Sequence, residues 1–313
     1  MEKISVLIPC YNEDENVLPL SNDLVNIFEK ELANYDYEIV FIDNCSVDNT
    51  QKIIRGICKS NNRIKAIFNA KNFGAHNSGY YGLFQTTGDC VILLNADYQD
   101  PIELIPDLVN EWKKGNKIVS CIKKKSRENK LVRFIRTCYY KTLKKMSEVD
   151  QIEHFTGFGL YDRSFIEILK NIQEPLPFLR GIVAEYGFKR KEINYVQQKR
   201  RGGKTKANLY NLYDLAMLNF TSYTKIGLRI ATILGFIIGG ITFLIAIIYF
   251  IYKLLYWDSF SLGIAPLIIG VFFFGSIQLF FIGLIGEYIM AINNRLRLLN
   301  RPLVIEEERI NFD

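Results

Sequence analysis

The chain contains few of the residues that build metal or disulfide sites. Histidine occurs only twice, as His76 and His154, and the six cysteines are single, with no C-x-x-C pair. A zinc site needs several Cys or His ligands at short spacing, so the sequence disfavours a zinc protein. Unpaired cysteines are typical of a reducing cytosolic environment. Acidic residues closely follow the short apolar run Ile4–Ile8, and we therefore expect no signal peptide.

The sequence also lacks the signature of a nucleic-acid-binding module. The formal net charge is +6, and one basic cluster interleaves with aromatic residues, a pattern that RNA-binding proteins share. Without a recognisable module, this pattern better fits an anionic membrane surface or an anionic substrate. We therefore expect no nucleic-acid partner.

Long apolar runs are present, and they are confined to the last third of the chain. The segments Ile230–Tyr252 and Ser259–Gly286 contain no charged residue. About 20 apolar residues suffice to cross the hydrocarbon layer of a bilayer. The sequence thus predicts two transmembrane helices within residues 226–294, joined by a short turn as a hairpin.

Basic residues flank this predicted hairpin on both sides. They are Lys225, Arg229, Arg295, Arg297 and Arg301. Because positively charged flanks remain in the cytoplasm, we expect both ends of the hairpin to be cytosolic. The same rule makes the preceding domain, residues 1–205, cytosolic, and residues 295–313 a cytosolic tail.

The first two thirds of the chain alternate between predicted strands and helices. The strands are Ile4–Ile8, Tyr37–Ile42, Ile64–Phe68, Cys90–Leu94 and Lys117–Ile122, and the helices are Glu15–Leu32, one ending near Cys58, Asn77–Thr86 and Pro101–Lys113. This alternation predicts an α/β fold with a mostly parallel sheet and helices on both faces. Ligands of such sheets bind at the carboxyl ends of the strands.

Two amphipathic helices are predicted near the membrane. Residues 131–146 carry basic side chains between aromatic and aliphatic ones, which is typical of an interfacial helix, although an ordinary surface helix has the same pattern. Residues 206–225 form a second candidate, the juxtamembrane helix. Either helix can mediate a homo-oligomer.

The segment CVILLNADYQDP carries the strongest chemical signal. A buried strand ends at Asn95-Ala96-Asp97, and Gln99 follows two positions after Asp97. Side chains with this spacing can face a single cation, and Mg²⁺ or Mn²⁺ prefers such oxygen ligands and bridges phosphate oxygens. The segment therefore predicts a divalent cation site beside a nucleotide phosphate.

Two earlier strand ends carry candidates for nucleoside binding. Pro9, Tyr11 and Glu13 follow the first strand, where an aromatic ring can cover a base and a polar group can bind its edge. Asp43 ends the second strand and can accept hydrogen bonds from uracil or ribose. The first segment is also compatible with a plain strand-to-helix turn, and Asp43 with an N-cap of the next helix, although Asp48-Asn49-Thr50 is better placed to supply that cap.

Taken together, these segments resemble family 2 glycosyltransferases of the GT-A fold, and more closely the branch that acts on polyprenyl phosphates. The matching segments are VLIPCYNEDENV, FIDNCSVDNT, NAKNFGAHNSGYYGL, NADYQDPIELIPDLV and RRGGKTK, with the C-terminal hairpin. That branch includes bactoprenol glucosyltransferases and dolichyl-phosphate mannose synthase. The resemblance covers almost the whole chain.

The resemblance implies an inverting transfer of a sugar from a UDP-sugar to undecaprenyl or another polyprenyl phosphate, at the cytosolic face of a bacterial inner membrane. The implied nucleotide-binding residues are Pro9, Tyr11, Glu13, Asp43, Asn95, Ala96 and Asp97, and the implied Mg²⁺ or Mn²⁺ ligands are Asp97, Gln99 and Asn95. Arg127, Arg133 and Arg136 would bind the lipid phosphate. Arg200 and Lys206 would close over the diphosphate.

The sequence departs from the family pattern in two places. Asn95 stands where the family usually has Asp, which removes one charge from the cation site. Gly157 and Gly159 stand where many relatives have Asp and Arg. Glu153 is the nearest carboxylate that can replace the missing Asp, so Asp97 and Glu153 are the catalytic candidates, with a solvated loop residue as the alternative for Glu153. Other single residues, such as His76 and Trp112, are predicted to be structural.

Two other functions and the identity of the sugar remain open. A processive polysaccharide synthase of the same superfamily usually carries a Q-x-x-R-W segment, and neither Trp112 nor Trp257 lies in one. The departures at Asn95 and Gly157 motivate the second alternative, a membrane scaffold with impaired turnover. Glucose is the expected sugar, and N-acetylglucosamine and galactose are the alternatives.

Overall fold

A computed structural model describes residues 1–125, 152, 154–172, 177–186, 188–198, 264–298 and 301–312, with isolated positions between 233 and 255. The strands are β1 (Lys3–Cys10), β2 (Asp36–Asp43), β3 (Ile64–Asn69), β4 (Cys90–Leu93), β5 (Ile118–Lys125), β6 (Phe155–Asp162), β7 (Arg190–Val196) and β8 (Glu306–Ile310). The helices are α1 (Val17–Lys30), α2 (Thr50–Ser60), α3 (Ala75–Leu83), α4 (Ile105–Lys113), α5 (Arg163–Ile172), α6 (Leu179–Glu185) and α7 (Ile264–Leu298).

The eight strands form one sheet in the order β7-β5-β6-β4-β1-β2-β3-β8. Strands β4, β1, β2 and β3 are mutually parallel, and β5 is parallel to β7. Strand β6 is antiparallel to both β4 and β5, and Leu93 of β4 pairs with Gly159. The start of β6 therefore lies at the same edge as the carboxyl ends of β1, β4 and β7.

The core consists of two apolar layers, one on each face of the sheet. Side chains alternate along a strand, so Val6 and Ile8 of β1 lie in one layer and Leu7 lies in the other. Helices α1, α2 and α4 cover the first layer, and α3, α5 and α6 cover the second. The predicted α/β architecture with a mostly parallel sheet is confirmed.

Strand β8 corrects the interpretation of residues 295–313 as a tail. It pairs antiparallel with β3 at the edge of the sheet. Arg55 of α2 forms an ion pair with Glu308 at 2.6 Å, and the Tyr81 hydroxyl donates to Glu306 at 2.6 Å. The sequence analysis missed this strand because EEERI is mostly charged and resembles a solvated segment.

Helix boundaries also differ from the predictions in detail. Helix α3 begins at Ala75 rather than Asn77 and ends at Leu83. The predicted helix Pro101–Lys113 begins as one 3₁₀ turn, Ile102–Leu104, and continues as α4. Of the free cysteines among the described residues, Cys10, Cys58, Cys90 and Cys121 are buried and Cys45 is half-buried.

The chain divides into two compact units, and the sheet with its helices forms one of them. Helix α7 belongs almost entirely to the other. Among the described residues, one helix is long and apolar enough to cross a membrane, with its apolar window at Ile277–Asn294. The positions described between 233 and 255 are all helical. The two-helix hairpin remains a prediction, and the helices predicted at 131–146 and 206–225 lie outside the described residues.

Candidate active site

A cleft of about 410 Å³ opens at the carboxyl edge of the central strands. Five of the residues predicted to form the site line this cleft: Pro9, Tyr11, Glu13, Asn95 and Gln99. They come from the end of β1 and from the segments that follow β1 and β4, which are adjacent in the sheet. The prediction that these two strand ends form one site is consistent with this geometry.

The loops after β1 and β2 are fixed to each other by hydrogen bonds. The backbone N–H of Asn12 donates to the Ser46 hydroxyl at 2.8 Å, and the Asn12 side-chain oxygen accepts from the N–H of Val47 at 2.9 Å. The N–H of Glu13 donates to the Thr50 hydroxyl at 2.8 Å. These bonds hold Tyr11 and Glu13 in a defined wall of the cleft.

Asp43 organises the loop after β2 and is not among the residues that line the cleft. Its fully buried carboxylate accepts the N–H and hydroxyl of Ser46 and the side-chain amide of Gln51, the latter at 2.8 Å. Asp48, not Asp43, accepts the N–H of Thr50 at the start of α2. The nucleoside contact of Asp43 therefore remains a prediction.

The predicted cation site lies in the turn after β4. Ala96 is buried, and the half-buried Asp97 accepts the backbone N–H of Gln99 at 3.1 Å. The side-chain oxygen of Gln99 accepts from the Gln197 amide at 2.8 Å, which ties this turn to the end of β7.

The chemistry of these side chains fits Mg²⁺ or Mn²⁺. No group of three His, Cys, Asp or Glu side chains lies together within the part of the chain that the structure describes. Such a cluster is not required, because Mg²⁺ commonly binds through one or two carboxylates with water and substrate phosphates. Asn95, Asp97 and Gln99 supply the hard oxygen atoms that these cations prefer.

A buried carboxylate that the sequence analysis did not select lies beneath this turn. Asp100 is 2% exposed, and it accepts the Asn95 amide at 2.6 Å and the Tyr195 hydroxyl at 2.9 Å. Burial raises the pKa of Asp100, and the nearby Asp97 raises it further, while the two hydrogen bonds lower it. An amide at position 95 donates to Asp100, whereas a carboxylate there would add a second negative charge. The Asn95 departure thus has a structural reason.

The two glycines of β6 also have structural reasons. Gly157 has φ +101°, a backbone conformation that residues with a side chain rarely adopt. A Cβ at Gly159 would overlap the carbonyl oxygen of Val119 and lie 3.3 Å from Cα of Ser120. The register between β5 and β6 shifts at this point, between Ser120 and Ile122. The positive φ at Gly157 and the close packing at Gly159 therefore favour glycine over the Asp and Arg that many relatives carry.

We expect Gly159→Ala to lower the free energy of unfolding by about 2 kcal/mol, because the added methyl group must push β5 away from β6. Gly56→Ala is the matched control, since nothing lies within 4 Å of a Cβ placed in the middle of α2. That change should raise stability by about 0.5 to 1 kcal/mol. Denaturant unfolding of the detergent-solubilised protein measures both; equal stabilities would contradict the close approach.

The residues that line the same cleft also include His76 of α3 and Arg180 of α6. The structural role of His76 stays a prediction, and the residue lies at the wall of the cleft. Trp112, predicted to be structural in the same way, is 9% exposed and donates its indole N–H to Asp162 at 2.7 Å. The remaining candidates, Arg127, Arg133, Arg136, Glu153, Arg200 and Lys206, lie outside the described residues.

Residues 5–169 match the family model described as "Glycosyl transferase family 2". The chain is 33% identical to the prophage bactoprenol glucosyl transferase homolog of Escherichia coli (strain K12), over 92% of this chain and 93% of that protein. It is also 33% identical to the SfII prophage-derived bactoprenol glucosyl transferase of Shigella flexneri, over 97% of both chains. The chain therefore belongs to glycosyl transferase family 2 and is a glycosyltransferase, which confirms the resemblance.

Among solved structures, the chain is similar to glucosyl-3-phosphoglycerate synthase from Mycobacterium tuberculosis, whose crystal structure is a complex with Mn²⁺, uridine diphosphate and phosphoglyceric acid. The two chains are 18% identical, with a TM-score of 0.46. The similarity covers 70% of this chain and 76% of that chain.

Proposed function

We propose that this protein transfers a sugar from a UDP-sugar to undecaprenyl, or another polyprenyl, phosphate. The observation that carries the proposal is the extent of the similarity to bactoprenol glucosyl transferases. It spans 92% to 97% of the chain and so continues well beyond the family domain at residues 5–169. The relatives' names favour glucose as the sugar and bactoprenol phosphate as the acceptor.

The cleft supports the donor half of this proposal. Tyr11 offers a ring to cover the uracil, and Glu13 offers an acceptor for its edge or for the ribose. The turn that carries Asp97 and Gln99 follows the neighbouring strand, where the diphosphate would lie. A Mg²⁺ or Mn²⁺ held by Asp97, Gln99 and Asn95 would neutralise the charge that develops on the leaving diphosphate.

The chemistry needs no general base. The second pKa of a phosphate monoester is about 6, so the acceptor is already largely an anion at neutral pH. One of its oxygens bonds to the anomeric carbon while the bond from that carbon to the diphosphate breaks, and the electron pair leaves on UDP. Inversion follows from attack opposite to the leaving group. The absence of a carboxylate at Gly157 is therefore compatible with turnover.

The membrane half of the proposal follows from α7. Its exposed side chains are largely apolar along the helix, for example Leu267, Leu279, Ile289 and Leu296. Such a surface suits lipid rather than water. We place the catalytic domain at the cytosolic face of a bacterial inner membrane, with Arg127, Arg133 and Arg136 near the lipid phosphate and Arg200 and Lys206 near the diphosphate.

A donor screen tests the proposal. The full chain in detergent is incubated with undecaprenyl phosphate, Mg²⁺ or Mn²⁺, and labelled UDP-glucose, UDP-N-acetylglucosamine or UDP-galactose in turn. We expect the label to move into an organic-extractable lipid monophosphate sugar with one preferred donor, and to remain in water when the lipid is omitted. A long polymer instead would indicate a processive synthase, and no product with any donor would indicate a scaffold.

A further inference from the structure

Arg180 stands out among the cations of the catalytic domain. It lies in α6, is half-buried, and lines the cleft. Its guanidinium carbon is 5.9 Å from the centre of the Phe178 ring, so the side chain packs beside an aromatic residue that is itself 7% exposed. The guanidinium group therefore has a fixed apolar neighbour on one side and the cleft on another.

Four other arginines in the described part of this domain form ion pairs with carboxylates, whereas Arg180 pairs with no carboxylate of the described residues. Arg55 pairs with Glu308, Arg63 with Asp36, Arg190 with Glu192 and Arg309 with Glu306. No carboxylate of the described residues lies within 4.0 Å of Arg180. A partly buried charge is costly unless it is paired, so an unpaired guanidinium in a ligand cleft favours an anion from the ligand.

His76 adds a polar group to the same wall without adding charge. Its ring centroid is 6.1 Å from that of Phe178. Desolvation by the protein atoms around the ring, and to a smaller extent the positive charge of Arg180, lower the pKa of His76 from 6.5 to about 4. The imidazole is therefore neutral at pH 7, and the positive charge of this wall comes from Arg180.

The position of α6 in the fold distinguishes between the two anions of the reaction. Helix α6 packs against β6, and its Ile182 and Val183 lie in the same apolar layer as Phe155 at the start of that strand. In the strand order β6-β4-β1, this is the side of β4 away from β1, where Tyr11 and Glu13 would hold the nucleoside. The nucleophile must approach the anomeric carbon from the side opposite the leaving diphosphate. Arg180 is therefore placed for the attacking anion.

We propose that Arg180 binds the phosphate of the polyprenyl phosphate acceptor and orients it for attack, which makes Arg180 a specificity determinant for the acceptor. This inference rests on the proposed function. It names one cation of the described residues for the acceptor phosphate, and it assigns the acceptor to the β6 side of the cleft.

The test separates acceptor binding from donor binding. Arg180→Gln should raise the KM for undecaprenyl phosphate by about 10- to 100-fold, the range expected for losing a charged hydrogen bond, and leave the KM for the nucleotide sugar within about twofold. Arg180→Lys, which keeps the charge but loses the planar fork, should recover part of the affinity. Lys170→Gln removes one positive charge from the exposed face of α5 and should match the wild type.

A binding measurement tests the role of Arg180 in acceptor binding independently of turnover. A water-soluble ten-carbon prenyl phosphate is titrated into the full chain in detergent, with thermal midpoints recorded to show that each variant is folded. We expect Arg180→Gln to bind the probe at least tenfold more weakly, and inorganic phosphate to compete with the probe in the wild type only. Unchanged probe affinity overturns the inference, as does a rise in the donor KM alone. A wild type that binds the probe yet transfers no sugar would refute the proposed function instead.

Discussion

Replacing Asp97 by Asn is expected to reduce sugar transfer by about 10²- to 10³-fold while the protein remains folded. The carboxylate of Asp97 accepts the N–H of Gln99 at 3.1 Å, and an Asn side-chain oxygen can accept the same bond. The turn should therefore keep its shape. The variant loses the negative charge that would hold the cation against the leaving diphosphate. Asp97→Ala should reduce sugar transfer by a similar factor.

The measurement combines initial rates with the affinity for UDP, each with and without Mn²⁺. In the wild type, Mn²⁺ should strengthen UDP binding, and in Asp97→Asn this gain should be lost. Asp107→Asn is the matched control, because Asp107 is an exposed carboxylate of α4. Near-normal turnover in Asp97→Asn would refute the cation assignment, as would a UDP affinity that still responds to Mn²⁺.

Replacing Glu38 by Gln is expected to cost about 3 kcal/mol of stability at neutral pH. Glu38 of β2 is 1% exposed and accepts hydrogen bonds from the Ser5 hydroxyl and the Thr87 N–H, both at 2.6 Å. Lys3 and Lys65 approach the same carboxylate at 3.1 and 3.0 Å. Gln keeps the shape of Glu but leaves both lysines without a negative partner.

The effect depends on pH in a defined direction. Burial alone would raise the pKa of Glu38, but the hydrogen bonds and the charge of Lys65 outweigh it and lower the pKa from 4.5 to about 2. A carboxyl whose pKa is lower in the folded state stabilises the fold above its unfolded pKa and loses that contribution as pH falls. The difference between wild type and Glu38→Gln should therefore shrink between pH 4.5 and about 2.

Denaturant unfolding of the detergent-solubilised chain at pH 7 and pH 3 measures this difference. Glu308→Gln is the matched control, because its ion pair with Arg55 is about 40% exposed on both sides and should contribute less than about 1 kcal/mol. A stability loss in Glu38→Gln that is no larger than in Glu308→Gln, or that does not change with pH, would show that the lysines find other partners.

The regular alternation of strands and helices could be predicted from the sequence. Strands β1, β2 and β4 are mostly apolar, and the turns that follow them carry polar residues, so local pattern alone indicates both the sheet and the edge where ligands bind. Strand β6 was missed because FTGFGLYD contains two glycines, which lower strand propensity. The reason for those glycines is the close approach of Val119, which no local pattern encodes.

Only part of the candidate site could be predicted from the sequence, for a similar reason. Asn95 and Gln99 were found because they directly follow a strand. Asp100 directly follows Gln99, yet its role depends on Tyr195, which is 95 residues further along the chain. Arg180 is recognisable only because it lines the cleft and no carboxylate of the described residues lies within 4.0 Å of it. Both properties arise from tertiary packing, and a single sequence contains neither.

The edge position of β8 has a consequence for how the protein is made. The ribosome synthesises α7 before residues 306–310, so β3 has no outer neighbour until the apolar segments have been translated. An unpaired strand edge is prone to associate with other chains. A soluble fragment obtained by cutting before the apolar segments would expose this edge permanently, and biochemical work on the catalytic unit is therefore better served by the intact polypeptide.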